Sequence, residues 1–208
     1  MKLTYLDNGA TTFPKPEKVY QVMDEVNRKL AVNAGRGSYD LAKKATGLID
    51  ETRTKMLSLV NGEQVADVIF APSATIALNM IIGGFDWCEN DICFVSPFEH
   101  NAVMRPLKKV QEETKFEIKQ LPVIRENMTI DLEKMEYLFS VNNPTKLFIT
   151  HISNVTGYIL PVKQIVKIAK KYNCKVIIDA SQSLGLIDID LVNTQADFVV
   201  FAGPVSYT

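Results

Sequence analysis

Val176-Ile177-Ile178-Asp179-Ala180-Ser181-Gln182-Ser183 is an apolar run that ends on a carboxylate and an amide. An apolar run of this kind reads as a central strand of an open α/β sheet. In open α/β sheets ligands bind at the carboxyl ends of the strands, which places Asp179 and Gln182 where a site is expected. A carboxylate at that position can hold the protonated nitrogen of a pyridine ring. It can equally do no more than cap the turn that follows.

Outward from this stretch, β-rich runs alternate with helical patterns. The strands predicted are Val68 to Ala71, Ile92 to Ser96, Phe116 to Leu121, Leu147 to His151, Lys175 to Asp179 and Phe198 to Ala202. Helices are predicted near Ala74 to Ile82, Ala102 to Glu113, Leu132 to Val141 and Val162 to Tyr172, with Asp131 as an N-cap and Pro161 in a first turn. The alternation implies an α/β fold: a mostly parallel sheet with helices on both faces, joined by right-handed crossovers. Upstream, Pro16 to Leu30 and Tyr39 to Val60 read as two helices. The loop between them, Ala31-Val32-Asn33-Ala34-Gly35-Arg36-Gly37-Ser38, has glycines that permit backbone geometry other residues resist. No repeat, low-complexity stretch or linker divides the chain, so residues 1–208 are expected to form one domain.

A net charge of −1, from 23 Lys and Arg against 24 Asp and Glu, argues against a nucleic-acid or anionic-membrane partner and towards a small-molecule ligand. No segment has the run of apolar residues that a signal peptide or membrane span requires, which predicts a cytoplasmic protein. Cys88, Cys93 and Cys174 have neither disulfide nor metal-ligand spacing, and no metal is expected. Cys174 opens a strand and reads as a small buried hydrophobe.

Four segments that follow predicted strands carry polar residues able to converge: Ser73-Ala74-Thr75, Glu99-His100-Asn101, Ser153-Asn154-Val155-Thr156-Gly157, and Asp179 with Gln182. Ser73-Ala74-Thr75 opens a helix, whose N–H groups with the Thr75 hydroxyl could take a phosphate, or the serine could simply cap it. His100 could lie on a planar ring or move a proton, or could stand in solvent at a helix start. Asn154 could bond a ring oxygen, or make a turn with Gly157. His151, at a strand end, reads as structural.

Taken in order, these stretches resemble the class V aminotransferase group of pyridoxal phosphate (PLP) enzymes, specifically the cysteine desulfurases and selenocysteine lyases. The resemblance covers nearly the whole chain. It includes Tyr5-Leu6-Asp7-Asn8-Gly9-Ala10-Thr11-Thr12, Asn33-Ala34-Gly35-Arg36-Gly37-Ser38-Tyr39, Glu99-His100-Asn101-Ala102-Val103, His151-Ile152-Ser153-Asn154-Val155-Thr156-Gly157 and Ile178-Asp179-Ala180-Ser181-Gln182-Ser183. It implies that Asp179 pairs with the pyridine nitrogen of PLP, that Gln182 and Asn154 bond the phenolic oxygen, and that His100 stacks on the ring with a possible acid/base role. Ala74 and Thr75 would take part of the phosphate. It also implies a homodimer that acts on an amino acid, converting cysteine to alanine with a persulfide formed on an enzyme cysteine.

The chain departs from the family's pattern at its end. Where the resemblance places Ser-Gly-His-Lys, the sequence has Ala202-Gly203-Pro204-Val205, so the Schiff-base lysine is absent and Val205 stands in its place. Pro72, Ser73 and Ile76 also differ from the usual phosphate loop. The family's small domain, its nucleophilic cysteine and its substrate arginine would fall beyond Thr208. The expectation is a single PLP-binding large domain, truncated after the strand that would precede the lysine and inactive alone. The alternative is a non-catalytic relative that keeps this domain as a binding or dimerisation module.

Overall fold

Five strands, Ile92–Val95 (β1), Glu117–Gln120 (β2), Lys146–Thr150 (β5), Lys175–Asp179 (β6) and Phe198–Val200 (β7), form one sheet in the order β2-β1-β5-β6-β7. Every pairing in it is parallel. The computed structural model describes residues 4–203. Its helices are Glu17–Lys29 (α1), Asp40–Leu59 (α2), Ala74–Gly84 (α3), Asn101–Thr114 (α4), Leu132–Asn142 (α5), Val162–Lys171 (α6) and the short Leu191–Thr194 (α7). A two-stranded antiparallel hairpin, Val123–Ile124 (β3) with Thr129–Ile130 (β4), lies between β2 and α5.

The unbroken apolar reading of the centre follows from burial on both sides. Along β5 and β6, Leu147, Ile149, Val176 and Ile178 enter a core shared with Met135 and Phe139 of α5 and Ile165, Val166 and Ala169 of α6. The alternate residues Phe148 and Ile177 enter a second core with Leu78 and Ile82 of α3 and Val103 and Leu107 of α4. Strand side chains alternate faces, so consecutive apolar residues need a helical layer on each side. The crossover from β1 to β2 runs in the opposite direction across the sheet from that joining β5 to β6, and their helices α4 and α6 lie on opposite faces. This is what crossovers of one hand produce.

The Asp131 cap holds, its side chain accepting a hydrogen bond from Lys134 N–H at 2.9 Å, whereas Pro161 stands at the N-cap of α6, one position before the first turn in which it was expected. The expected strand at Val68 to Ala71 does not form. The segment is not hydrogen-bonded as a ladder, and Ile69 and Phe70 remain 80% and 51% exposed. β-propensity there reflects a surface suited to pairing, and no described strand pairs with it. The strands expected at Phe116 to Leu121 and Phe198 to Ala202 are shorter than predicted, and β3, β4 and α7 are additions. These elements are too short for a periodic signal to rise above the loops around them.

Candidate functional site

Because β1, β5 and β6 are parallel neighbours, the turns that leave their carboxyl ends emerge on one edge of the sheet. His100 follows β1, Asn154 follows β5, and Asp179 closes β6. The chain path reverses between β1, which leads to β2 on one side, and β5, which leads to β6 on the other. Such a switch point opens a crevice at the strand ends.

Asp179 is buried at the end of β6, level with Thr150 of β5 and Val200 of β7. Its Oδ1 accepts the Ser181 N–H at 2.9 Å, and no described group bonds Oδ2. Gln182, one turn further on, donates from Nε2 to the Gly9 carbonyl at 3.1 Å. That bond brings the amino-terminal stretch around Gly9 against the end of β6, a role the sequence reading did not assign to it. The signal available was the Asn8-Gly9 turn beside an acidic residue, which says nothing about distant partners.

His100 is the N-cap of α4, with its Nδ1 accepting the Ala102 N–H at 3.1 Å. In the neutral ring this bond puts the proton on Nε2 and fixes the ring's orientation. Ser73 caps α3, its Oγ accepting the Ile76 N–H at 3.2 Å, so the capping alternative for this serine is realised. Capping leaves the N–H groups of Ala74 and Thr75, which have no intrahelical acceptor, at the positive end of the helix. Asn154 is exposed in a turn held by Ser153, whose Oγ accepts the Thr156 N–H at 3.2 Å, and closed by Gly157 at φ +70°.

Glu99, next to His100, is a member of the site to which its sequence position alone assigns no role. Its Oε1 accepts both the Ser96 hydroxyl and the Thr150 N–H, the latter at 2.6 Å, while Oε2 is buried without a partner among the described residues. Burial, with a smaller push from Asp179, raises this carboxyl to about 7 against the hydrogen bonds that oppose the shift. A charged residue beside a histidine looks like surface in a sequence; only the fold turns it inward.

Other expectations resolve as structure. His151 bonds Ser183 Oγ through Nδ1 at 2.9 Å, and burial holds its ring below the usual histidine range. Cys174 and Cys93 are buried, with burial pushing the first up to about 12 and the second well above the ordinary thiol range. The glycine loop is held by α2 and not by the strand ends. Gly35, at φ +88°, donates to Thr46 Oγ1, and a Cβ on Gly37 would lie 2.6 Å from that of Ala42. Pro204 and Val205 lie outside the described residues.

The aminotransferase class-V family profile matches residues 4–204. The chain belongs to the class-V aminotransferase family. A probable cysteine desulfurase of Halalkalibacterium halodurans is 30% identical over 97% of this chain and 50% of its own length. One of Methanothermobacter thermautotrophicus is 31% identical over 96% of this chain and 48% of its own. The apo structure of a cysteine desulfurase from Thermococcus onnurineus superposes with a TM-score of 0.87 at 25% identity, over 98% of this chain and 50% of that one. This class-V aminotransferase chain thus spans about half the length of the curated relatives it matches.

The family's cofactor is PLP, and two features of this class-V chain fit it. The Asp179 carboxylate is buried at the sheet edge with an oxygen that no described protein donor bonds. The α3 amino terminus offers two N–H groups that capping has not consumed. No helix among the described residues is long and apolar enough to cross a membrane.

Proposed function

We propose that this chain is the PLP-binding large domain, spanning residues 1–208, of a cysteine desulfurase-type protein, and that as it stands it binds the cofactor without turning over cysteine. The observation that carries the reading is the Asp179 carboxylate at the switch-point edge, with Oδ2 open and Gln182, Asn154 and His100 on neighbouring strand ends. When bound, PLP supplies an electron sink for bond breaking at the carbon beside an amino group.

The protein's share of the work is assigned as follows. Asp179 accepts the ring N–H and keeps that proton in place. Gln182 and Asn154 donate amide N–H groups to the phenolic oxygen; Gln182 has a second N–H beyond the one given to Gly9. His100, oriented through Nδ1, lays its face on the ring and keeps Nε2–H directed away from its own helix. The Ala74 and Thr75 N–H groups, with the Thr75 hydroxyl, receive phosphate oxygens at the start of α3. With Val205 where the family resemblance puts lysine, no amine is supplied at that position to hold the aldehyde or to take the substrate proton.

Titration with PLP followed by borohydride reduction tests this. Saturable, reversible binding with no covalent label is expected, and Asp179→Ala is expected to weaken it about 10- to 100-fold, the loss of a charge-assisted hydrogen bond. Covalent attachment at the strand-end pocket, or sulfide release from cysteine, would overturn the inactivity.

A homodimer is the proposed assembly. No residue of α1 is buried, and Met23, Leu41 and Leu59 on α1 and α2 are each about half exposed. Apolar helix surface of this kind marks an interface. Light scattering on the purified chain is expected to give twice the 23.3 kDa chain mass; a stable monomer would argue against the assembly.

A further inference from the structure

The two oxygens of Glu99 lie in different surroundings. Oε1 takes two donors, one from each side of the switch point: the Ser96 hydroxyl just past β1 and the Thr150 N–H at the end of β5, the latter at 2.6 Å. Oε2 is buried and has none among the described residues. An oxygen that accepts two bonds beside a buried one with no described partner fits a neutral carboxylic acid better than an anion, because an unpaired hydroxyl costs less to bury than an unpaired charge. A buried anionic oxygen without a donor would carry the full cost of desolvation.

Asp179 explains why one proton belongs here. Thr150, bonded to Glu99, is the register partner of Asp179, and the two carboxyl groups repel when both are charged. Each carboxyl has one oxygen that no described donor bonds, but only that of Glu99, Oε2, is sealed from solvent as a buried atom without a described partner, so the proton falls to Glu99. Glu99 in turn adds a small push to the Cys93 thiol of β1, which burial already holds well above the ordinary thiol range. The adjacent His100 is turned to its own helix by the Ala102 N–H. The same residue closes the turn: Ser96 Oγ, which donates to Glu99, accepts the Phe98 N–H at 3.3 Å, and His100 follows directly.

We propose that Glu99 is a positioning residue for the cofactor pocket: a neutral acid that fastens the His100 turn to the end of β5 across the switch point and leaves the negative charge at the pocket floor to Asp179. The proposal rests on reading that pocket as a PLP site, but its chemistry is measurable without the cofactor.

Carbon-13 NMR of the whole chain labelled at the glutamate carboxyl carbon is the first experiment. One resonance, identified by its loss in Glu99→Gln, is expected to titrate near 7, apart from the other glutamates. If every glutamate titrates in the ordinary range near about 4, the neutral-acid assignment is wrong. Hydrogen exchange at the Thr150 and Ala102 amides supplies the second readout. Glu99→Ala is expected to speed it by at least about tenfold, and the conservative Glu99→Gln to restore protection to within about threefold of the original. If Glu99→Gln exchanges as fast as Glu99→Ala, the fastening role fails; if Glu99→Ala does not fold, the carboxyl titration and the Gln variant still decide. PLP titration of the unmodified chain separates the two readings. Absence of binding alongside a Glu99 midpoint near 7 sinks the cofactor role and with it the purpose assigned to Glu99, whereas binding with an ordinary midpoint sinks the Glu99 proposal alone.

Discussion

Lys146→Ala is expected to lower unfolding stability by about 3–5 kcal/mol, the cost of leaving a buried carboxylate without its partner. Lys146 and Asp91 meet at 2.9 Å at the amino-terminal edge of the sheet, opposite the candidate site, and both side chains are more than nine-tenths buried. The ammonium also sits 4.4 Å from the centre of the Trp87 ring and 5.6 Å from that of Phe85. Trp87 in turn stacks on Phe116, so the lysine stem and charge close one end of the second core. Burial pushes the Asp91 carboxyl up, but hydrogen bonds from Thr145, the Cys88 N–H and Lys146 outweigh it and hold the group below the usual range. Removing the cation reverses that balance.

Urea unfolding of Lys146→Ala, and of Lys146→Met combined with Asp91→Asn, measures the effect. The double variant removes both charges and keeps an acceptor for the Cys88 N–H, so it is expected to recover at least about half of the loss. A change below about 1 kcal/mol for Lys146→Ala would show that water reaches the pair and that burial is not what makes it matter.

Glu99→Gln is expected to be nearly neutral for stability at pH 5 and to stabilise the chain by about 3 kcal/mol at pH 8. The sign follows from the direction of the shift. The folded chain holds the Glu99 proton up to about 7, whereas the unfolded chain releases it near the ordinary value of 4.5. Between those values the folded state binds more protons, so stability falls as pH rises and then levels above the folded value. An amide cannot ionise, and the variant escapes that fall. Chemical unfolding at several pH values is the measurement; parallel profiles for the two proteins would mean that the carboxyl is ionised throughout at no cost.

The fold was legible where burial acts on both faces of a strand. Val176 to Ile178 and Leu147 to Ile149 carry their architecture in composition, because a helical layer on each side leaves no polar position along them. Helix limits were legible where caps mark them, at Asp131 and Pro161. Val68 to Ala71 misled because a strand is a relation between two segments, and propensity describes only one of them. The candidate site divides in the same way. Asp179, Gln182, His100 and Asn154 were legible because each follows an apolar run at a strand end. The roles of Gly9 and Glu99 were not, since each acts through a hydrogen bond to a residue far along the chain: Gln182 for one, Thr150 for the other.

By itself, then, the sequence determined the α/β class, the strands of the parallel sheet and the polar residues at their ends, because periodicity and turn chemistry are local and leave local traces. The tertiary structure alone decided the strand order, the switch point between β1 and β5, and the side chains that meet across it. The burial that shifts Glu99 and locks Lys146 onto Asp91 arises from neighbours on other strands and helices, and only the folded chain brings them within reach.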